Sequence, residues 1–128
     1  MKVLNVSSRV YLQPDALDSA IAFYENLFNQ TCRLRFSYSA AGLEIASIGH
    51  ILLVAGSVEN LEPFRKAHAT FLVDNLDEFI FFLKQSGAQI LSEPKEVPTG
   101  RNMHVRHPDG LVVEYVEHSQ SKPTATEI

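Results

Sequence analysis

The chain of 128 residues contains one cysteine, Cys32. A single thiol has no partner within the chain, so a disulfide framework and a multi-cysteine zinc site are excluded, and Cys32 reads as a small strand hydrophobe. No segment reaches the roughly 18–20 consecutive apolar residues of a membrane-spanning helix, so a membrane is not an expected partner. The opening "MKVLNVSSR" falls short of the roughly 7–15 apolar residues of a signal-peptide core, and a cytoplasmic location is expected. Lys and Arg total 11 against 15 Asp and Glu, for a net charge of −4 and a pI near 5.7. Those cations are scattered rather than gathered in a stripe, so nothing is arranged to neutralise phosphates and nucleic acid is not an expected partner. There is no glycine-rich phosphate loop, and no Ser or Cys stands in a nucleophile motif.

What is present is an ordinary globular composition, 45% hydrophobic and 20% charged, at a length typical of one domain. It is organised as a repeat. Asp15, Leu17, Asp18, Ile21 and Phe23 recur as Asp74, Leu76, Asp77, Ile80 and Phe82 at one constant offset of 59. In each copy a strand, near 8–13 and 68–73, precedes a helix, near 16–28 and 75–86. Leu17, Ala20, Ile21, Tyr24 and Phe28 fall at helical spacing, and Leu76, Phe79, Ile80 and Leu83 repeat the stripe. Asp15 and Asp74 stand near the positions where a side-chain oxygen caps a helix, and Gly87 suits the residue after one.

Three strand-like segments follow each helix, near 31–38, 43–48 and 50–55, then near 89–93, 101–107 and 111–117. The expected fold is therefore α+β: two tandem βαβββ modules forming a curled mixed sheet around a cleft, with the helices outside. The boundaries are module one at 8–56, a linker at 57–67, module two at 68–117 and a polar tail at 118–128, all within a single domain. "SEPKEVPTGRN", with two prolines and a glycine, reads as an edge or a mobile lid.

The stretches "PDALDSAIAFYENLF" and "HATFLVDNLDEFIFFLKQSG" and the ending "RHPDGLVVEYVE", in this order, resemble the vicinal oxygen chelate superfamily of glyoxalases, bleomycin-resistance proteins and extradiol dioxygenases. Members that use a metal take ligands from the first and last strand of each half. The resemblance carries those roles onto Arg9, Leu53, His68 and Glu114. His68 and Glu114 suit a divalent first-row ion; Arg9 is a permanent cation and Leu53 has no donor atom. The resemblance also implies a homodimer, to which the exposed helix position of Phe81 and a docked tail would be connected.

Strand parity identifies the companions of these residues. Arg9, Tyr11 and Gln13 share one face of their strand, and His68 shares its face with Thr70 and Leu72. If Pro108, Asp109 and Gly110 form a three-residue loop, His107 lies opposite Leu111 and His104 opposite Glu114. His104 would then be a third ligand beside His68 and Glu114, a set that holds non-haem iron.

Two readings of different class follow. In the first, the protein binds a small molecule in a pocket with a degenerate metal site and no cofactor. Arg9, Tyr11, Gln13, Leu53, His68 and Glu114 contact the ligand, and Arg9 pairs with Glu114 where relatives hold a metal. In the second, it is a metal-dependent lyase or dioxygenase of the glyoxalase type, with Fe, Mn, Ni or Zn on His68, Glu114 and His104. A pure interaction protein, resting on Phe81, is a third and weaker reading.

Overall fold

A strand, a helix and three further strands occur twice in the computed structural model, which describes residues 1–119. The first set is β1 (Val3–Leu12), α1 (Leu17–Phe28), β2 (Leu34–Tyr38), β3 (Leu43–Ile48) and β4 (Ile51–Ala55). A short helix α2 (Val58–Leu61) follows. The second set is β5 (Ala69–Val73), α3 (Leu76–Gln85), β6 (Gln89–Val97), β7 (Gly100–Arg106) and β8 (Val112–His118). The class is α+β, in two tandem βαβββ modules. By contact density residues 7–65 form one compact unit, and residues 1–6 join those from Lys66 onward in the other.

Each module mixes strand directions in the same way. In the first, the order is β2-β3-β4-β1, with β1 parallel to β4 and the other pairs antiparallel. In the second, the order is β5-β8-β7-β6, with β5 parallel to β8 and the other pairs antiparallel. One face of each sheet carries the module's helix. Leu17 and Ile21 of α1 bury against Ala46, Ile48, Leu53 and Ala55. Leu76, Phe79 and Leu83 of α3 bury against Val73, Met103, Val105 and Val113. Each large side chain so buried contributes about 1.5–3 kcal/mol, which is what the duplicated stripe supplies.

The helix starts differ from expectation. Asn75, not Asp74, caps α3, accepting from the Glu78 N–H at 3.3 Å, and Glu117 Oε1 accepts from the Leu76 N–H at 2.7 Å. Asp74 instead accepts from the Lys2 N–H at 2.8 Å. In the first module a 3-10 turn over Pro14–Ala16 leads into α1, and Ala16 at the cap position has no side-chain oxygen to offer. Proline fixes the φ of that entry, so the turn itself sets the helix direction.

The linker is ordered. Ser57 Oγ accepts from the Asn60 N–H at 3.1 Å to cap α2, and Leu61 and Phe64 then pack onto the first module. "SEPKEVPTGRN" forms an edge rather than a lid. β6 is the outermost strand of its module and runs to Val97, with Pro94 tolerated there because its register shifts between Ser92 and Lys95. The following Gly100 is obligatory, since a Cβ would lie 2.0 Å from the Glu117 carbonyl oxygen. The tail expected at 118–128 begins inside β8, and its positions 120–128 lie outside the described residues. Among the described residues no helix is long and apolar enough to cross a membrane.

Candidate functional site

The face of the second module away from α3 carries polar side chains in register. Thr70 on β5 pairs with Glu114 on β8, Glu114 with His104 on β7, and His104 with Ser92 on β6. The row arises because Phe71, Val73, Val113 and Tyr115 take the helix side, and the two-residue period sends their neighbours to the other. The opposition of His104 and Glu114 expected from the hairpin is present.

Side-chain hydrogen bonds tie the row together. Thr70 Oγ1 donates to Glu114 Oε1 at 2.9 Å, and Asn102 Nδ2 donates to Glu114 Oε2 at 2.7 Å. His104 Nδ1 lies 3.3 Å from Ser92 Oγ, which also accepts from the His104 N–H at 3.1 Å. Hydrogen bonds to a carboxylate are charge-assisted, and one on each oxygen fixes its orientation. Asn102 went unremarked in the sequence, although it stands two residues from His104 and therefore shares its face.

This donor set does not fit the divalent metal that the superfamily often uses. Among the described residues no group of three His, Cys, Asp or Glu side chains is placed to hold an ion. His68, just before β5, is exposed and uses its backbone N–H on the Val112 carbonyl at 2.9 Å. His68, Glu114 and His104 therefore do not converge as a ligand set.

The residues expected from the first module behave differently. The Arg9 guanidinium stacks over the Tyr11 ring at 5.3 Å, and that of Arg65 lies over the same ring at 5.8 Å. The Tyr11 hydroxyl donates to the Phe64 carbonyl at 2.5 Å, and its ring packs with Leu43, Val54 and Leu61. Gln13 is exposed beyond the end of β1, where its carbonyl accepts from the Ala16 N–H at 3.0 Å. Leu53 requires a correction. It is 0% exposed and packs under α1, because the parallel register sets Arg9 beside Leu52 and Val10 beside Leu53. Leu52 and Val54 lie on the opposite face, in the cluster that packs with Tyr11 and Leu61.

Two other features lie apart from these. His107 places Nε2 2.7 Å from the Tyr115 hydroxyl, and burial pushes the Tyr115 phenol up to about 12. An open depression of about 680 Å³ at the end of α1 is lined by Glu25, Asn26, Asn29, Gln30, Thr31 and Arg33, none of them an expected site residue.

Residues 7–115 match the family described as Glyoxalase/Bleomycin resistance protein/Dioxygenase superfamily. A hypothetical protein of Methanosarcina mazei, known from a crystal structure, is 52% identical, with a TM-score of 0.84 over 94% of this chain and 96% of that one. A Streptomyces coelicolor methylmalonyl-CoA epimerase variant, in complex with 2-nitronate-propionyl-CoA, superposes with a TM-score of 0.68 at 16% identity, covering 95% of this chain and 99% of that one. The methylmalonyl-CoA epimerase of Mycobacterium tuberculosis gives 0.67 at 19% identity, over 93% and 91% of the two chains. These two share the fold. No curated protein matches the sequence.

Proposed function

The chain belongs to the Glyoxalase/Bleomycin resistance protein/Dioxygenase superfamily, and on that premise we propose that it is a small-molecule-binding protein with a degenerate metal site. Its polar anchor is Glu114, held by Thr70 and Asn102 on the helix-free face of the second module. One observation carries the reading: each oxygen of the Glu114 carboxylate accepts a side-chain hydrogen bond at 2.7–2.9 Å from a neutral donor. A carboxylate so fixed is a preorganised acceptor for a ligand group, and preorganisation lowers the ordering cost of binding.

Within this reading His68, on the same module, contacts a polar or anionic part of the ligand. The protein is cytoplasmic and homodimeric. Support for the dimer is the exposure of large apolar side chains on the outer surface of α3, where Phe81 is 66% exposed. The alternative is a metal-dependent lyase or dioxygenase using His68, Glu114 and His104, which requires those three ligands to converge on one ion.

The test is a thermal-shift panel of small aromatic acids, amides and alcohols against the wild-type chain and Glu114→Gln. At least one compound is expected to raise the wild-type Tm and to leave the variant unmoved. A panel with no effect on the wild type would overturn the reading.

A further inference from the structure

Two cations far apart in the sequence meet in the fold. Within the unit of residues 7–65, the Arg9 guanidinium on β1 lies 5.3 Å from the centroid of the Tyr11 ring. That of Arg65, which follows the 3-10 turn Glu62–Phe64, lies 5.8 Å from the same centroid. Their Cζ atoms are therefore separated by no more than the two distances combined. Backbone contacts set Arg65 beside the ring: the Tyr11 hydroxyl donates to the Phe64 carbonyl, and the Arg65 N–H donates to the Leu61 carbonyl at 3.1 Å. Arg65 is exposed, and Arg9 and Tyr11 are half-buried, so each presents surface to solvent.

A cation over an aromatic face is attracted by the quadrupole of the ring. One guanidinium makes that contact; a second on the same ring adds the repulsion of two permanent like charges, which a bound anion turns into attraction. The ring also supplies no acceptor for the N–H donors. Among the described residues Arg65 forms no ion pair and its side chain forms no hydrogen bond, so its donors are open to a ligand. The chain carries a net charge of −4, so its overall field does not draw anions in, and an anion is held only where cations converge. We infer that Arg9 and Arg65, with Tyr11 as their platform, form an anion-binding site on the first module that takes a diphosphate group. A carboxylate matches one guanidinium fork, whereas a diphosphate carries oxygens at both ends and matches two. The fixed backbone and the ring hold Arg65 in place before the ligand arrives, which lowers the ordering cost of binding. The inference goes beyond the small-molecule reading of the Glu114 cluster and does not depend on it.

The probe is inorganic diphosphate, titrated calorimetrically into the full chain at low ionic strength, where charged contacts are least screened. Saturable binding is expected, at least tenfold tighter than that of benzoate. Arg65→Gln is expected to weaken it at least tenfold, and Arg65→Lys to restore only part of the loss, since a point charge lacks the planar fork. Lys84→Gln, which removes an equal charge from the last turn of α3, is expected to change the affinity less than twofold. In the wild-type protein alone, diphosphate is expected to shift the Nε–H resonances of Arg9 and Arg65, a readout that needs no variant. Absence of saturable binding would overturn the inference. Equal losses in Arg65→Gln and Lys84→Gln would also overturn it, since the anion would then answer to net charge and not to a site. Benzoate binding as tightly as diphosphate would overturn the ligand class, and resonance shifts confined to other arginines would overturn the location. Each of these failures leaves the Glu114 reading standing, because that reading is tested by a different variant and a different panel.

Discussion

The helix-free faces of the two modules derive from one repeat and have become chemical opposites. In the first, Tyr11, Leu43, Val54, Leu61 and Phe64 pack as a third apolar cluster, and α2 with the turn behind it supplies part of the packing. In the second, the corresponding face carries Thr70, Glu114, Asn102, His104 and Ser92 joined by hydrogen bonds. The helix sides have stayed alike, since both modules bury a Leu stripe on sheet residues of similar size. Duplication has thus preserved what packing demands and has let the other face diverge. A face that need only be covered can be covered by a linker, and a face left polar is available for a ligand.

The largest expected effect tests the apolar half of that contrast. Leu61 is 2% exposed within the first module's cluster, and Leu61→Ala is expected to cost about 2–5 kcal/mol in chemical denaturation. A loss under about 1 kcal/mol, the range of a tolerated or surface change, would mean that α2 merely lies on the module. On the polar half, Glu114→Gln turns an amide N–H toward one of two donors. It is expected to lose about 1–3 kcal/mol, the cost of leaving a buried group unpaired. A neutral result would show that the row is already open to water.

Tyr11→Phe removes the hydroxyl bond to Phe64 and keeps the ring, so a loss of about 1 kcal/mol is expected from the same measurement. No loss would detach the linker from the contrast. Next comes a difference between the helix sides. Burial raises the Tyr115 phenol from 10 to about 12, so its folded form holds a proton that the unfolded chain gives up. Stability is therefore fully present below pH 10 and falls as pH rises toward 12, and Tyr115→Phe should flatten that part of the curve. The smallest effect is at Asp74, whose carboxyl is held below its usual value chiefly by the Lys2 N–H. Its contribution is present above the ordinary carboxylate range and is lost as pH falls through the lowered value. Asp74→Asn is expected to remove that acid-side dependence with little change at neutral pH.

Much of this was legible in the residues. The constant offset from Asp15 to Asp74 and the Leu stripes predicted two βαβββ modules, and the hairpin arithmetic placed His104 against Glu114. Parity on β5 and β8 put Thr70 and Glu114 on the face away from the helix. Leu53 was misplaced because the resemblance carries a position onto a strand without that strand's register. A shift of one residue between parallel β1 and β4 exchanges faces, and no local signal encodes it. The caps were misplaced for a related reason. Asp74 and Asn75 are equally good cap residues, and the choice was made by the Lys2 N–H, which is remote in sequence. The bonds of Asn102 were invisible because an Asn in an apolar strand carries no mark of its partner.

The sequence by itself determined the repeat, the class of the fold and which residues of a strand share a face, because these follow from periodicities of two and 3.6 residues within single segments. Tertiary structure alone decided that Leu61 and Phe64 would cover one sheet, and that Asn102 and Thr70 would hold Glu114 on the other. Those outcomes depend on register and on contacts across 12 to 53 positions of chain, where the energies of many pairings are compared at once.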